Sequence, residues 1–141
     1  MILFFSEIPF KLSQKRPIKN WLDAVAKQEN KKIGTINIVF YNDEQLLTLN
    51  KQYLNHDTFT DVITFDYSEE RLLHGDICIS IERVRENAET FNCIFEEELR
   101  RVLVHGILHL CGYKDKKNTD KQIMKQKEEG ALVLFNTQYN Y

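Results

Sequence analysis

Residues 95–112 read FEEELRRVLVHGILHLCG, and this stretch predicts one long helix that is buried over most of its circumference. At about 100° per residue, four polar side chains fall on a single stripe of the helix: Glu98, Arg101, His105 and His109. Beyond Arg101 the rest of the circumference is filled mainly by aliphatic residues. Both histidines therefore occupy the polar stripe of a helix that otherwise packs into the core.

The segments before this helix show strand and helix patterns in turn. Alternating or continuous apolar residues predict strands at residues 1–5, 35–41, 62–67 and about 76–80, of which the last two should pair. Helical spacing predicts helices from Pro17 to about Gln28, over about 43–54 with Asn42 as the N-cap, and over about 81–91. Residues 31–34 are expected to break the regular structure.

The segment after the long helix predicts one more helix, because Thr119 and Gln122 form a capping-box pattern. The chain has only 5 Gly and 2 Pro and no linker-like stretch, which indicates one folded unit. The sequence therefore predicts a single α+β domain over residues 1–141, with a small mixed sheet of about four strands covered by helices.

The composition is typical of a domain with a real hydrophobic core. Of the 141 residues, 43% are hydrophobic and 28% charged, and the net charge of -2 argues against a protein that coats nucleic acid non-specifically. No apolar run is long enough to span a membrane, and the first ten residues lack the features of a signal peptide. Because Cys78, Cys93 and Cys111 have no regular spacing, we expect reduced thiols and a cytoplasmic location.

Two histidines four residues apart lie about one helical turn apart on the same face, so His105 and His109 can bind one ion together. Gly112 ends the helix and lets the chain turn back, which can bring the carboxylate of Asp115 to the same ion. Two imidazoles and one carboxylate leave a coordination position for water, as in catalytic zinc sites. We therefore expect one divalent ion, zinc first, at the end of this helix and in the turn after it.

The spacing leaves a second interpretation about equally open, in which the histidines are satisfied core residues and Asp115 is a solvated loop residue. Position 106 excludes one class of zinc enzyme, because proteases of the HExxH type carry their general-base Glu there and this chain has Gly106. The glycine should instead let the helix pack closely against the sheet. Cys111 projects opposite His109, so we expect it to pack rather than to bind the ion.

The segment HGILHLCGYKD at residues 105–115 resembles the HGxLHLxGYDH signature of the YbeY family, bacterial endoribonucleases and ribosomal-RNA maturation factors. TDVITF at residues 60–65 and GDICIS at residues 75–80 resemble that family's TDVLSF and GDIxIS segments, and Met124 lies in a similar final helix. The resemblance implies a YbeY-like metallohydrolase domain over residues 1–141. Its activity would be metal-dependent endonucleolytic processing of ribosomal-RNA precursors, at the 3′ end of the small-subunit RNA and in ribosome quality control. Its partners would be RNA and, beyond that, a ribosomal subunit or assembly proteins.

By this resemblance His105 and His109 match the family's first two metal-binding histidines, whereas Asp115 stands where a third histidine is usual. The carboxylate makes the site more negative, which should make a bound water less acidic and could shift the preference toward harder ions such as manganese. A second departure is Leu54, which follows Tyr53 where the family commonly carries an arginine. His56 could take over that role, although an ordinary loop histidine is the commoner case. These departures keep two alternatives open: a ribosome-assembly factor with a mainly structural metal, and a metallohydrolase for another substrate.

The nucleophile and a second general base are not evident in the sequence. A metal-bound water at the three ligands is the expected centre of reaction, but either that water or the ribose hydroxyl could attack phosphorus. Asp61 and Asp76 are candidate bases only because they stand at predicted strand ends, where a capping or turn role is the commoner one. Tyr113 and Phe59 are candidates for stacking on unpaired bases.

Lysines are concentrated directly after the proposed ion site and could bind phosphate groups although the whole chain is acidic. They are Lys114, Lys116, Lys117, Lys121, Lys125 and Lys127. The alternative, equally open, is a solvated face on which these lysines pair with Asp120, Glu128 and Glu129. If the lysines do not contact RNA, the next candidates are Arg83, Arg85, Arg100 and Arg101, although Arg101 commonly would pair with Glu97 or Glu98.

Overall fold

The computed structural model describes residues 1–140, in which strands and helices alternate up to the third strand, the fourth strand follows the third without a helix between them, and the remaining elements are helical. The elements are β1 (Ile2–Ser6), α1 (Lys15–Gln28), β2 (Lys32–Tyr41), α2 (Asp43–Leu54), β3 (Val62–Asp66), β4 (Leu72–Ser80), α3 (Ile81–Thr90), α4 (Phe95–Leu110), α5 (Asn118–Leu134) and a π-helical turn (Phe135–Tyr139). Within residues 1–140, no helix is both long and apolar enough to cross a lipid bilayer.

The four strands form one mixed sheet in the order β1-β2-β4-β3. β1 and β4 both run parallel to β2, whereas β3 is antiparallel to β4, with Val62 opposite Ile79 and Asp66 opposite Gly75. The predicted pairing of the third and fourth strands is therefore confirmed, as is the α+β class with a small mixed sheet and helices.

The main core lies between one face of the sheet and the helices α1, α3, α4 and α5. A smaller cluster of Leu46, Ile63 and Cys78 lies between the other face and α2. Alternate residues of the central strands are fully buried, and so are Leu103, Val104 and Ile107 of α4. A Cβ atom built on Gly106 would lie 2.8 Å from Cγ2 of Ile77 in β4, so the absence of a side chain is what allows this approach. The expected close packing of the helix against the sheet is confirmed.

Three elements before α5 begin earlier than the sequence predicts, and one of them is β4, which starts at Leu72 rather than at about residue 76. α1 starts at Lys15 rather than Pro17. Pro17 lies in the first turn of the helix, where a proline is tolerated because its missing N–H would have no helical partner. β2 starts at Lys32, inside the predicted break, and its ladder with β4 is irregular between Ile33 and Ile36. Nδ1 of His74 accepts a hydrogen bond from the backbone N–H of Thr35 at 3.0 Å, which supports the irregular stretch.

The predicted capping box of the last helix is wrong. α5 begins at Asn118, so Thr119 lies inside its first turn, and the carboxylate of Asp120 accepts from the backbone N–H of Lys117 at 3.4 Å. The π-helical turn that follows α5 was not predicted. It buries Phe135 completely, with its ring 5.1 Å from that of Trp21.

Candidate metal site and its cleft

The three side chains expected to hold an ion lie together at the end of α4. Nε2 of His105 is 3.3 Å from Oδ2 of Asp115, and Nε2 of His109 is 3.6 Å from Oδ1 of the same carboxylate. One donor atom from each of the three residues falls within 4.8 Å of the other two. Ligands at about 2.0–2.1 Å around a tetrahedral zinc ion lie about 3.3–3.4 Å apart, so both the donor types and their spacing fit a divalent transition-metal ion.

Local backbone geometry brings Asp115 back to the histidines. Gly112 has a φ of +108°, a conformation that residues with a side chain rarely adopt, and it turns the chain directly after α4. The next residue, Tyr113, hydrogen-bonds His109 through its backbone. Its hydroxyl donates to Glu29, and the ammonium group of Lys127 lies 5.5 Å from its ring centre. Tyr113 thus fastens the turn to α1 and α5, and the expectation that it stacks on bases of the substrate is not supported by this position.

A carboxylate that the sequence placed among the possible partners of the lysines contacts the site directly. Oε2 of Glu128, on α5, lies 2.6 Å from Nδ1 of His105, and Glu128 is only 8% exposed. In the alternative in which the lysines cover a solvated face, Glu128 would pair with them, but its partners are His105 and Arg101. The one available signal was periodicity, because Glu128 falls on the buried stripe of α5 with Met124 and Leu132. Its partner, 23 residues away, could not be read from that pattern.

Arg101 joins two carboxylates one turn before His105. Its Nε lies 3.5 Å from Oε1 of Glu98, and its Nη1 lies 3.6 Å from Oε1 of Glu128. Burial raises the pKa of Glu98 to about 7, although the positive charge of Arg101 acts in the opposite direction. The pairing of Arg101 with Glu98 anticipated from the sequence is present, and the arginine is engaged rather than free.

The two histidines have different protonation preferences. Burial lowers the pKa of His109, and the neighbouring His105 lowers it further, so the neutral form that binds a metal is favoured. Burial acts in the same direction on His105, but the carboxylates of Glu128, Asp115 and Asp61 outweigh it and raise the pKa of His105. A proton on His105 therefore competes with an ion at low pH.

The site opens into a cleft of about 610 Å³ between α2, β3 and the turn after α4. Its walls include Leu54, the last residue of α2, and His56, which follows that helix. They also include Phe59, which is 48% exposed. Arg83 lies over the Phe59 ring, 5.2 Å from its centre. Phe59 is thus in the cleft, as a stacking residue would have to be, and His56 lies where it can reach a substrate there.

Of the two candidate bases, only Asp61 lies at the cleft. Burial raises the pKa of Asp61, and its Oδ2 accepts from Nδ2 of Asn87 at 3.3 Å. Asp76 is inside β4 rather than at its end, and its Oδ1 accepts from Nδ2 of Asn37 at 3.0 Å. Because Ile77 faces α4, the adjacent Asp76 points to the opposite side of the sheet. The candidate role of Asp76 as a base is therefore wrong.

The basic residues do not form one strip. Lys116 lines the cleft, Lys121 and Lys125 line a neighbouring groove of about 600 Å³ between α4 and α5, and Lys127 is 3.0 Å from Glu29. Among the arginines, Arg100 is buried over the ring of Phe135. Arg83 pairs with Asp43 and Glu86, and Arg85 lies over Phe95. Of the six lysines named from the sequence, Lys116 is therefore the one found on the wall of the cleft.

The comparisons of this chain with known proteins agree on one family. Residues 6–136 match the family model described as Endoribonuclease YbeY. The chain is 54% identical over 140 residues to Endoribonuclease YbeY of Flavobacterium psychrophilum, which covers 99% of this chain and 100% of that relative. It is 49% identical over 137 residues to Endoribonuclease YbeY of Christiangramia forsetii, covering 97% and 96% of the two chains. The fold is similar to the solution structure of TM1509 from Thermotoga maritima, with a TM-score of 0.73, 30% identity and coverage of 99% and 92%.

Proposed function

Since the chain belongs to the YbeY endoribonuclease family, we propose that it cleaves RNA at a divalent ion held by His105, His109 and Asp115. The observation that carries this proposal is the meeting of three donor atoms, within 4.8 Å of one another, on the wall of an open cleft. Such a three-ligand set leaves room for water, which is the arrangement of catalytic rather than structural zinc.

The chemistry divides between the ion and the protein. When bound, a divalent ion lowers the pKa of water toward neutrality and polarises a phosphoryl oxygen. His109, neutral because burial lowers its pKa, offers a free nitrogen lone pair, and Asp115 supplies one negative charge. Asp61 lines the same cleft, and its raised pKa suits a group that takes up a proton during cleavage.

The cleft suits an unpaired strand better than a duplex. Phe59 presents an exposed ring on which one base can stack, and Lys116 provides a positive charge in the same cleft for a phosphate group. We place the substrate among ribosomal-RNA precursors, at the 3′ end of the small-subunit RNA, with a ribosomal subunit or assembly proteins as partners in the cytoplasm. This finer assignment rests on the family resemblance.

Zinc is the first choice of ion, and manganese is the second. Imidazole nitrogens suit zinc, whereas the carboxylate of Asp115 in place of a third imidazole shifts the site toward harder ions. With an ion bound, the negative charge of Asp115 would make a water on that ion less acidic, so we expect cleavage to need a higher pH than a site with three histidines would.

A specific observation supports one alternative function. Leu54 places an aliphatic side chain on the cleft wall, where the family commonly has an arginine able to contact phosphate. With that contact gone, the protein could serve as a ribosome-assembly factor whose ion is mainly structural. His56, on the same wall, is the residue that would have to compensate if the chain is a nuclease.

The test measures metal content and RNA cleavage on the same samples. Wild type should contain one divalent ion by elemental analysis, cleave an unstructured RNA, lose activity with a chelator and regain it with zinc or manganese. His109→Ala should lose both ion and activity. The matched control is His74→Gln, because His74 lies on β4 outside the cleft and glutamine can still accept from Thr35. Cleavage that persists without metal contradicts the proposal, and a tightly held ion without cleavage favours the assembly factor.

A further inference from the structure

The carboxylate of Glu128 contacts His105 from a different helix, α5, although Glu128 is not one of the three proposed ligands. We propose that Glu128 is a positioning residue that orients His105 and fixes which ring nitrogen faces the ion, and that Arg101 holds Glu128 in place for this purpose. This inference rests on the proposed function, because it assumes that His105 binds a cation.

The distances assign separate tasks to the two nitrogens of His105. Nδ1 lies 2.6 Å from Oε2 of Glu128, whereas Nε2 lies 3.3 Å from Oδ2 of Asp115. In the neutral ring one nitrogen carries the proton and the other a lone pair. Because a carboxylate can only accept, the proton belongs on Nδ1, and the lone pair of Nε2 then points to the other donors. A carboxylate behind a ligating histidine also makes that ligand more basic and keeps its ring from rotating.

Arg101 completes the arrangement by using the other oxygen of the carboxylate. Oε2 of Glu128 contacts His105, and Oε1 lies 3.6 Å from Nη1 of Arg101. The guanidinium is itself held by Glu98 through its Nε, at 3.5 Å. Both carboxylates are largely buried, with 3% of Glu98 and 8% of Glu128 exposed, so the geometry is defined by packing between α4 and α5. Without Arg101, Glu128 would lose the cation that compensates its buried charge.

His109 is held differently, and this makes the proposal specific. Its second partner is the backbone of Tyr113, which belongs to the turn directly after α4. A change at Glu128 should therefore alter the ring of His105 and leave that of His109 as it was. A general loosening of the fold would affect both rings.

Two measurements on the same variants test this role. Zinc affinity is measured by competition with a chromophoric chelator, and the proton position on each histidine of the metal-free protein is read from nitrogen-15 NMR. Glu128→Ala should weaken zinc binding by about 10–100-fold, as loss of such a partner typically does, and Glu128→Gln should fall between it and wild type. At alkaline pH, where the ring is neutral, the His105 proton of wild type should be on Nδ1, and in Glu128→Ala the ring should gain the form protonated on Nε2.

Glu129→Ala is the matched control, since Glu129 is the adjacent glutamate on the same helix and is exposed. It should leave both readouts at their wild-type values. Arg101→Gln should weaken zinc binding in the same direction as Glu128→Ala, and it should add little in the Glu128→Ala background, because the two residues act through one contact. Glu128→Gln keeps the size of the side chain, so it remains informative if Glu128→Ala folds poorly.

The outcomes separate this inference from the proposed function. If wild type binds zinc and Glu128→Ala binds it equally well, or if affinity falls while the His105 signals stay as in wild type, the positioning role is overturned and the proposed function stands. If wild type binds no divalent ion, the proposed function fails and the positioning role fails with it.

Discussion

Two helical glycines with opposite surroundings offer a direct test of the packing that places the candidate site. Gly106 in α4 faces β4, and a Cβ atom there would lie 2.8 Å from Cγ2 and 2.9 Å from Cδ1 of Ile77. Gly130 in α5 has nothing within 4 Å of the same built atom. Replacing either by alanine gains the same helix propensity, about 0.5–1 kcal/mol, so the difference between the two variants reports packing alone.

Gly130→Ala should therefore stabilise the protein, whereas Gly106→Ala should destabilise it relative to that control. Forcing an extra methyl group into a packed core typically lowers the free energy of unfolding by about 1–3 kcal/mol. The two variants should thus differ by about 1–3 kcal/mol, or about 2–4 °C in melting temperature for each kcal/mol. Because Gly106 is adjacent to His105, Gly106→Ala should also weaken zinc binding, and Gly130→Ala should not.

Urea unfolding followed by tryptophan fluorescence is a suitable assay. Trp21 is the single tryptophan, it is fully buried, and its Nε1 donates to the carbonyl of Ala131 at 2.7 Å. In an Ile77→Ala background the obstructing side chain is gone, so Gly106→Ala should become as favourable there as Gly130→Ala is in wild type. If Gly106→Ala and Gly130→Ala stabilise the otherwise wild-type protein equally, the inferred contact between α4 and β4 is wrong.

Ionisable groups around the cleft lead to three further expected results. Burial raises the pKa of Glu98 from its ordinary value of 4.5 to about 7, so between these pH values the folded state binds a proton that the unfolded state releases. The free energy of unfolding of wild type should therefore fall as pH rises across that interval. Urea titrations of Glu98→Gln should show a smaller fall. Zinc at a hundredfold excess over its Kd should stabilise wild type by about 2.7 kcal/mol in calorimetry, and an equal effect on His109→Ala would contradict binding at this site. Lys116→Gln should reduce the slope of log binding constant for RNA against log salt concentration by up to about one unit. Lys127→Gln should leave this slope unchanged, because Lys127 pairs with Glu29. Equal slopes for both variants would refute the cleft as the RNA path.

Features that depend on neighbours along the chain were predictable from the sequence. Helical geometry places His105 and His109 on one face whatever surrounds them, and Gly112 predicts the turn that returns Asp115. The N-cap at Asn42, with Asp43–Leu54 as its helix, is a local hydrogen-bonding pattern and was predicted with its bounds. Even so, the start of β2 was missed, since a strand bound depends on the ladder that a distant strand provides.

The tertiary structure alone decided which side chains stand behind the ligands and which face the cleft. Glu128 reaches His105 only because α5 packs against α4, and periodicity gives a residue's face but not the residue that faces it. For the same reason the sequence could not tell that Asp61 lies at the cleft and Asp76 on the other side of the sheet. Strand alternation shows that neighbouring residues point to opposite faces, but the packing of α4 decides which face is which. The sequence by itself determined which three residues meet at the candidate site and the turn that brings Asp115 to the histidines. The contacts that support these residues come from the packing of α5 against α4, which depends on residues far apart in the chain.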